Sequence, residues 1–258
     1  MNLKSKNPFL SNKSFAKATT VHDAEGRPVE VIDYNETMTV QGAVNKSVIL
    51  LFLLVASAAY TWYMAVSGQN PLVLGIVGAI LGFIAVLVAA FKPQASPYLA
   101  PAYAIFQGLF LGVISLIIEN RAGVPGIALQ AVGATFVTFI VCFLLYRFKV
   151  VKVTEQFKSV VIAATLAVAT YYLISFALSF FGVTLFHHGN SLMSIGFSVF
   201  VIILASLNLF LDFDMIEQSA KNRLPKYMEW FGAMGLMVTL VWLYIEFLRL
   251  FAKISGRD

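Results

Sequence analysis

Charge is what this sequence has least of. Asp, Glu, Lys and Arg make up 12% of its 258 residues, where a soluble domain carries about 25%. From Ser159 to Leu211 there is none of the four. Cysteine is nearly absent as well. Cys142 stands alone in an apolar run, which excludes an intramolecular disulfide and any cysteine metal cluster, and it reads as a small buried hydrophobe. Several catalytic patterns are missing: HExxH, GxSxG, and the glycine spacings of phosphate loops and dinucleotide folds. His187 and His188 sit in a loop with no carboxylate beside them, a pattern of solvated histidines rather than of a metal site. No basic patch is interleaved with aromatics, so nucleic acid is not a partner. The sequence gives no ground for an enzyme and by itself calls for no cofactor.

What is present is apolar. Hydrophobic residues make up 59% of the chain, more than a soluble protein of this size can hide. A membrane-spanning helix needs about 20 apolar residues. Seven runs qualify: 46–66, 72–91, 98–118, 126–147, 159–181, 192–216 and 228–251. They are continuous, without the alternation of barrel strands, so the expected fold is all-α, a polytopic bundle of seven transmembrane helices in a lipid bilayer. Glycine pairs in the second, third and seventh runs offer faces for close helix approach. No cleavage site follows a short apolar core, so the first span is expected to do the targeting.

The few cations set direction. Lys4, Lys6, Lys13, Lys17, Arg27, Lys46, Lys92, Arg147, Lys149, Lys152, Lys158, Lys221, Arg223 and Lys226 fall on one side of the alternating spans. Arg121, Arg249, Lys253 and Arg257 fall on the other. Retention of positive charge inside predicts a cytoplasmic N-terminus and an outer C-terminus. The expected organisation is a polar cytoplasmic arm over 1–44, a membrane domain over 45–251 and a short tail over 252–258. Within the arm, VEVIDYNETMTV reads as a short strand or an interfacial segment.

The chemistry-bearing residues come late. A carboxylate in hydrocarbon is costly unless paired, neutralised or open to water. Asp212, Asp214 and Glu217 follow directly on the uncharged run, and Glu229 and Glu246 lie in the last span. Asp212 and Asp214 point about 200° apart on a helix, so they do not share a cavity. Glu217 falls on the side of Asp214, near Lys221, and also reads as a solvated interfacial charge. Glu229 suits the first turn of a helix, where an acid answers the positive end of the dipole. Glu246 has Arg249 three residues on as a pairing partner.

Two late segments, ASLNLFLDFDMIEQ at 205–218 and LMVTLVWLYIEFLRLF at 236–251, carry a family resemblance. They resemble the closing helices of the transmembrane Bax-inhibitor-motif family, in particular its bacterial branch. The resemblance implies a Bax-inhibitor-1-like bundle of six helices around a central last helix, in the bacterial cytoplasmic membrane. It implies a pH-sensitive calcium or cation leak gated by two acids that share a proton or cation. Carried over, one acid is Asp214 and the other is Glu246, which stands where the family has aspartate. A basic residue that holds the closed state falls near Lys92. Depth along the helix argues for Glu229 instead, since Glu246 lies roughly 25 Å farther along the axis. Asp214 with Glu246 or Glu229 is therefore the expected ion- and proton-sensing pair. Asp214 and Glu246 are also the expected weak calcium ligands, with Asp212, Glu217 and Lys92 secondary. The alternative is a non-transporting membrane regulator or scaffold that acts on a membrane-protein partner such as a protease, or in a stress response.

Overall fold

The structure, a computed structural model, describes residues 19–22, 28–31, 37–182, 189 and 191–255. His187, His188, the first eighteen residues and the last three lie outside the described residues. Two units are resolved by their internal packing, 1–37 and 38–258. In the first, β1 (Thr19–His22) pairs antiparallel with β2 (Pro28–Val31), in a register that sets Thr19 opposite Val31 and His22 opposite Pro28. The anticipated strand thus begins at Pro28.

The second unit is seven helices, each long and apolar enough to cross a membrane. They are α1 (Val40–Val66), α2 (Leu72–Phe91), α3 (Ser96–Ala122), α4 (Ile127–Arg147), α5 (Glu155–Ser179), α6 (Leu192–Lys221) and α7 (Met228–Ser255). The chain is a polytopic integral membrane protein. Local chemistry sets the helix ends. Thr39, Thr154 and Ser191 cap α1, α5 and α6 by accepting the amides of Gly42, Phe157 and Ser194. Gly123 closes α3 with φ at 69°, a left-handed turn that suits glycine. Glu119 then turns back and accepts the amides of Gly126 (2.9 Å) and Ala128 (3.1 Å), so its charge answers the start of α4.

Several helices outrun their apolar cores. α1 starts at Val40 and α5 at Glu155, because the capping residues Thr39 and Thr154 extend each helix beyond the stretch that hydropathy marks, and α7 runs to Ser255. The 30 residues of α6 rise about 45 Å, more than the ~30 Å of hydrocarbon. Its last turn, with Glu217 and Lys221, therefore reaches the interface.

The most buried span is α7, which packs against α1, α3, α4 and α6. Leu236, Met237, Leu240 and Leu243 project from it into the main core. The central last helix is thus an observed feature. Glycine sets the tightest crossings. A Cβ at Gly108 or Gly112 of α3 would strike the backbone carbonyls of Leu54 or Ala58 in α1. Thr61 of α1, fully buried there, donates to the carbonyl of Leu109 at 3.3 Å. Replacing Gly112 with valine should destabilise the bundle by about 1–3 kcal/mol through overpacking. Gly133→Ala on α4, where nothing lies within 4 Å of an added Cβ, should be neutral or slightly stabilising. Reversible unfolding of the purified protein in mixed micelles reads both.

Candidate functional site

The acids of α6 and α7 define the candidate site, and each occupies a different environment. Asp214 is 7% exposed. It receives Lys158 Nζ of α5 at 2.9 Å, while Gln218 Nε2 lies 3.5 Å away at the limit of a hydrogen bond. Lys158 also holds Glu155 at 3.0 Å, so one ammonium joins two helices. Glu217, one helical turn on, accepts the Tyr146 hydroxyl of α4 and pairs with Lys221, both at 2.5 Å. The C-terminal half of α6 is thereby tied to α4 and α5.

Glu229 is fully buried in the first turn of α7. Its Oε1 accepts the amide and the hydroxyl of Thr39, at 2.9 and 3.0 Å. Its Oε2 receives Lys46 Nζ at 2.5 Å, with Lys226 a further 3.9 Å from Oε1. Lys46 also lies over the Trp230 ring, 5.5 Å from its centroid. Gly42 leaves room here, because a Cβ at that position would collide with the Glu229 carboxylate and displace it from its partners. Every lone pair that matters on Glu229 is answered, and the start of α7 is fastened to the start of α1.

Glu246 is 1% exposed. Its Oε1 accepts the Tyr172 hydroxyl of α5 at 2.9 Å and Arg249 Nη1 at 3.3 Å. The anticipated pairing three residues along the helix is thus present, and the guanidinium lies over the Tyr172 ring. Its Oε2 is buried and has no hydrogen-bond partner among the described residues. Asp212 is the remaining acid. Its side chain turns toward α7, against Gly235 and Thr239. Its Oδ2 is buried with no hydrogen-bond partner, and no ion pair to Asp212 is found among the described residues.

The structure therefore places Asp214, Glu229 and Glu246 in three separate ion pairs, with Lys158, Lys46 and Arg249. Among the described residues no hydrogen bond joins two of these acids, and no three His, Cys, Asp or Glu side chains gather as a metal-holding group. Calcium favours about 6–8 oxygens, so in this conformation Asp214 and Glu246 do not make a resident calcium site. Lys92 is exposed at the end of α2 and makes no ion pair among the described residues. Besides Arg249, the cations that do answer the buried acids are Lys46 and Lys158. A signal for them was available: Lys158 is the last charge before the uncharged run, and Lys46 opens the first span. Tyr146 and Tyr172 carried no such mark.

The family described as Bax inhibitor 1 like matches residues 7–256, and the chain belongs to that family. Its members are membrane proteins and not enzymes. No curated protein matches the chain.

Breaking the Lys46–Glu229 pair from one side should be expensive. Lys46→Met should destabilise the fold by about 3 kcal/mol, the lower end for a buried pair because Lys226 stands nearby. The double variant Lys46→Met, Glu229→Gln should recover a large part of that loss, since no charge is then left unanswered. Lys221→Ala, at a pair exposed on both sides, should change stability by less than about 1 kcal/mol. Unfolding of the four proteins side by side checks these values.

Proposed function

From membership of the Bax inhibitor 1-like family, we propose that this chain is a pH-sensitive cation leak, with calcium among the ions it passes. The seam between α6 and α7 is its ionisable gate. The observation that carries this reading is Asp212 Oδ2, buried at that seam without a partner. Asp214, Glu229 and Glu246 each have a cation within reach, so a charge on any of them is already compensated. An ionised Asp212 has no such answer, and a lone charge in apolar surroundings is costly. Its ionisation favours separation of the seam and entry of water. Glycine at 232 and 235 lets the two helices approach closely around Asp212 in the packed state, while a polar tie, Lys253 Nζ donating to Ser198 Oγ at 2.7 Å and to the Ser194 carbonyl at 3.3 Å, joins them at the other end of α6.

Asp214 stays turned away on Lys158, and once the seam parts it is Asp212 and, farther along α7, the unpartnered Oε2 of Glu246 that offer carboxylate oxygens. A hydrated calcium ion would meet them one after another, held weakly enough to move on. The basic arm and the loops after α2, α4 and α6 support a cytoplasmic N-terminus, and the resemblance to the family's bacterial branch supports the bacterial cytoplasmic membrane.

A second reading has its own support. Asp214, Glu229 and Glu246 are each engaged by a neighbouring helix, as they would be in a scaffold that passes no ion and acts through a membrane-protein partner. Calcium flux into liposomes holding the purified chain separates the two. Between about pH 6 and pH 8 the wild type should show flux that rises with pH. Asp212→Asn should flatten the profile at the low level, and Glu246→Gln should lower the flux without flattening it. Absence of flux above protein-free liposomes, from protein shown to be folded, would reject the leak and leave the scaffold.

A further inference from the structure

The half of the bundle nearest the α3–α4 turn holds a cavity of about 440 Å³. It lies within the ~300–1,000 Å³ range of pockets that hold small ligands. Its walls are α1 and α4, which flank it at Ala58 and at Val132 and Phe136. Its floor is α7, through Met237, Leu240 and Tyr244, with α3 completing the lining. None of the lining side chains is charged. The hydroxyls that reach it are already engaged. Ser115 and Tyr244 bond to one another at 2.6 Å, and Thr135 donates to the carbonyl of Ala131 at 2.7 Å.

These facts restrict the occupant. A charged ligand would leave its hydration and find no countercharge. Water needs two or more polar partners, and beside hydroxyls already bonded the lining side chains offer little more than the Trp62 indole N–H. The lining residues belong to four membrane spans, from the middle of the bundle at Leu54, Thr135 and Met237 to the first turn of α4 at Ala128, so most of the cleft is reached through hydrocarbon. A helix of a second copy is about 10–12 Å across with its side chains, and a 10 Å length of it already exceeds this volume. It would cover the mouth without filling the floor. A single flexible hydrocarbon chain meets all of these conditions.

We propose that the cleft between α1 and α4 is a binding site for one acyl chain of a bilayer phospholipid, which lies against the central helix α7. This does not depend on the leak. The site differs from ordinary lipid contact by what it reaches. Met237 and Leu240 are 2% and 9% exposed, and a chain that only coats the bundle does not touch them.

The test is photolabelling of the full chain in phospholipid vesicles, with a phospholipid that carries a diazirine midway along one acyl chain. Labelled peptides are mapped by mass spectrometry. Labels on the α7 stretch from Met237 to Tyr244, together with α1 near Ala58, support the site. Val132→Trp narrows the mouth at a position that already faces outward, and it should cut α7 labelling severalfold. Ile80→Trp, on the exposed face of α2, should leave it unchanged. Labels confined to outward faces such as α2, with α7 unlabelled in the wild type, would overturn the proposal. So would α7 labelling that Val132→Trp does not reduce. Exclusion of lipid label from α1 and α4 alike would also overturn it and point to a second copy over the mouth.

Discussion

A carboxylate inside hydrocarbon has to be answered, and the arrangement of this bundle follows from how each one is answered. Burial of a single charge without a partner costs more than most individual contacts supply. Glu229 draws α1 to α7 through Lys46 and Thr39. Asp214 draws α5 to α6 through Lys158, and Glu246 draws α5 to α7 through Tyr172. Apolar packing cannot supply this specificity, because lipid tails are as apolar as the side chains they would replace. Close glycine contacts bring helices together, and the polar links then decide which helices and in what register.

The position of α7 follows from both. It is surrounded by α1, α3, α4 and α6 and carries two of the buried acids. A change of charge at its surface is therefore felt by several neighbours at once. Where a cation stands ready, as at Glu229, the contact is a fastening. At Asp212 no cation stands ready among the described residues, and the proposed gate is the contact where that carboxyl meets α7. A leak needs both, since a bundle fastened everywhere would not open and one fastened nowhere would not close. The acyl-chain cleft lies against the same helix, so lipid and ionisation act on one element.

Much of the fold was legible because membrane helices announce themselves as long apolar runs, and all seven runs became helices. Their ends were less so. Thr39 and Thr154 act through single side-chain caps that hydropathy does not register. The candidate acids were also visible, since a carboxylate stands out against an uncharged background. Their partners were not. Helix periodicity showed that Asp212 and Asp214 face different ways, and the structure agrees. It could not tell which of the two faces α7, because that depends on the rotation of α6 in the bundle. Nor could it pair Glu229 with Lys46, which is 183 residues away in the chain. Arg249 with Glu246 was readable because three residues on one helix fix the geometry.

The central claim is that the α6–α7 seam loosens when Asp212 loses its proton. The most direct measurement is the distance between spin labels on the two helices, as pH is raised from about 6 to about 8. Met193 of α6 and Ile254 of α7 are both exposed and can carry the labels as cysteines, with Cys142 replaced by alanine. The account predicts a distribution that broadens toward longer distances at the higher pH, and that stays narrow in Asp212→Asn. An unchanged distribution in the wild type, or a broadening that persists in Asp212→Asn, would contradict it.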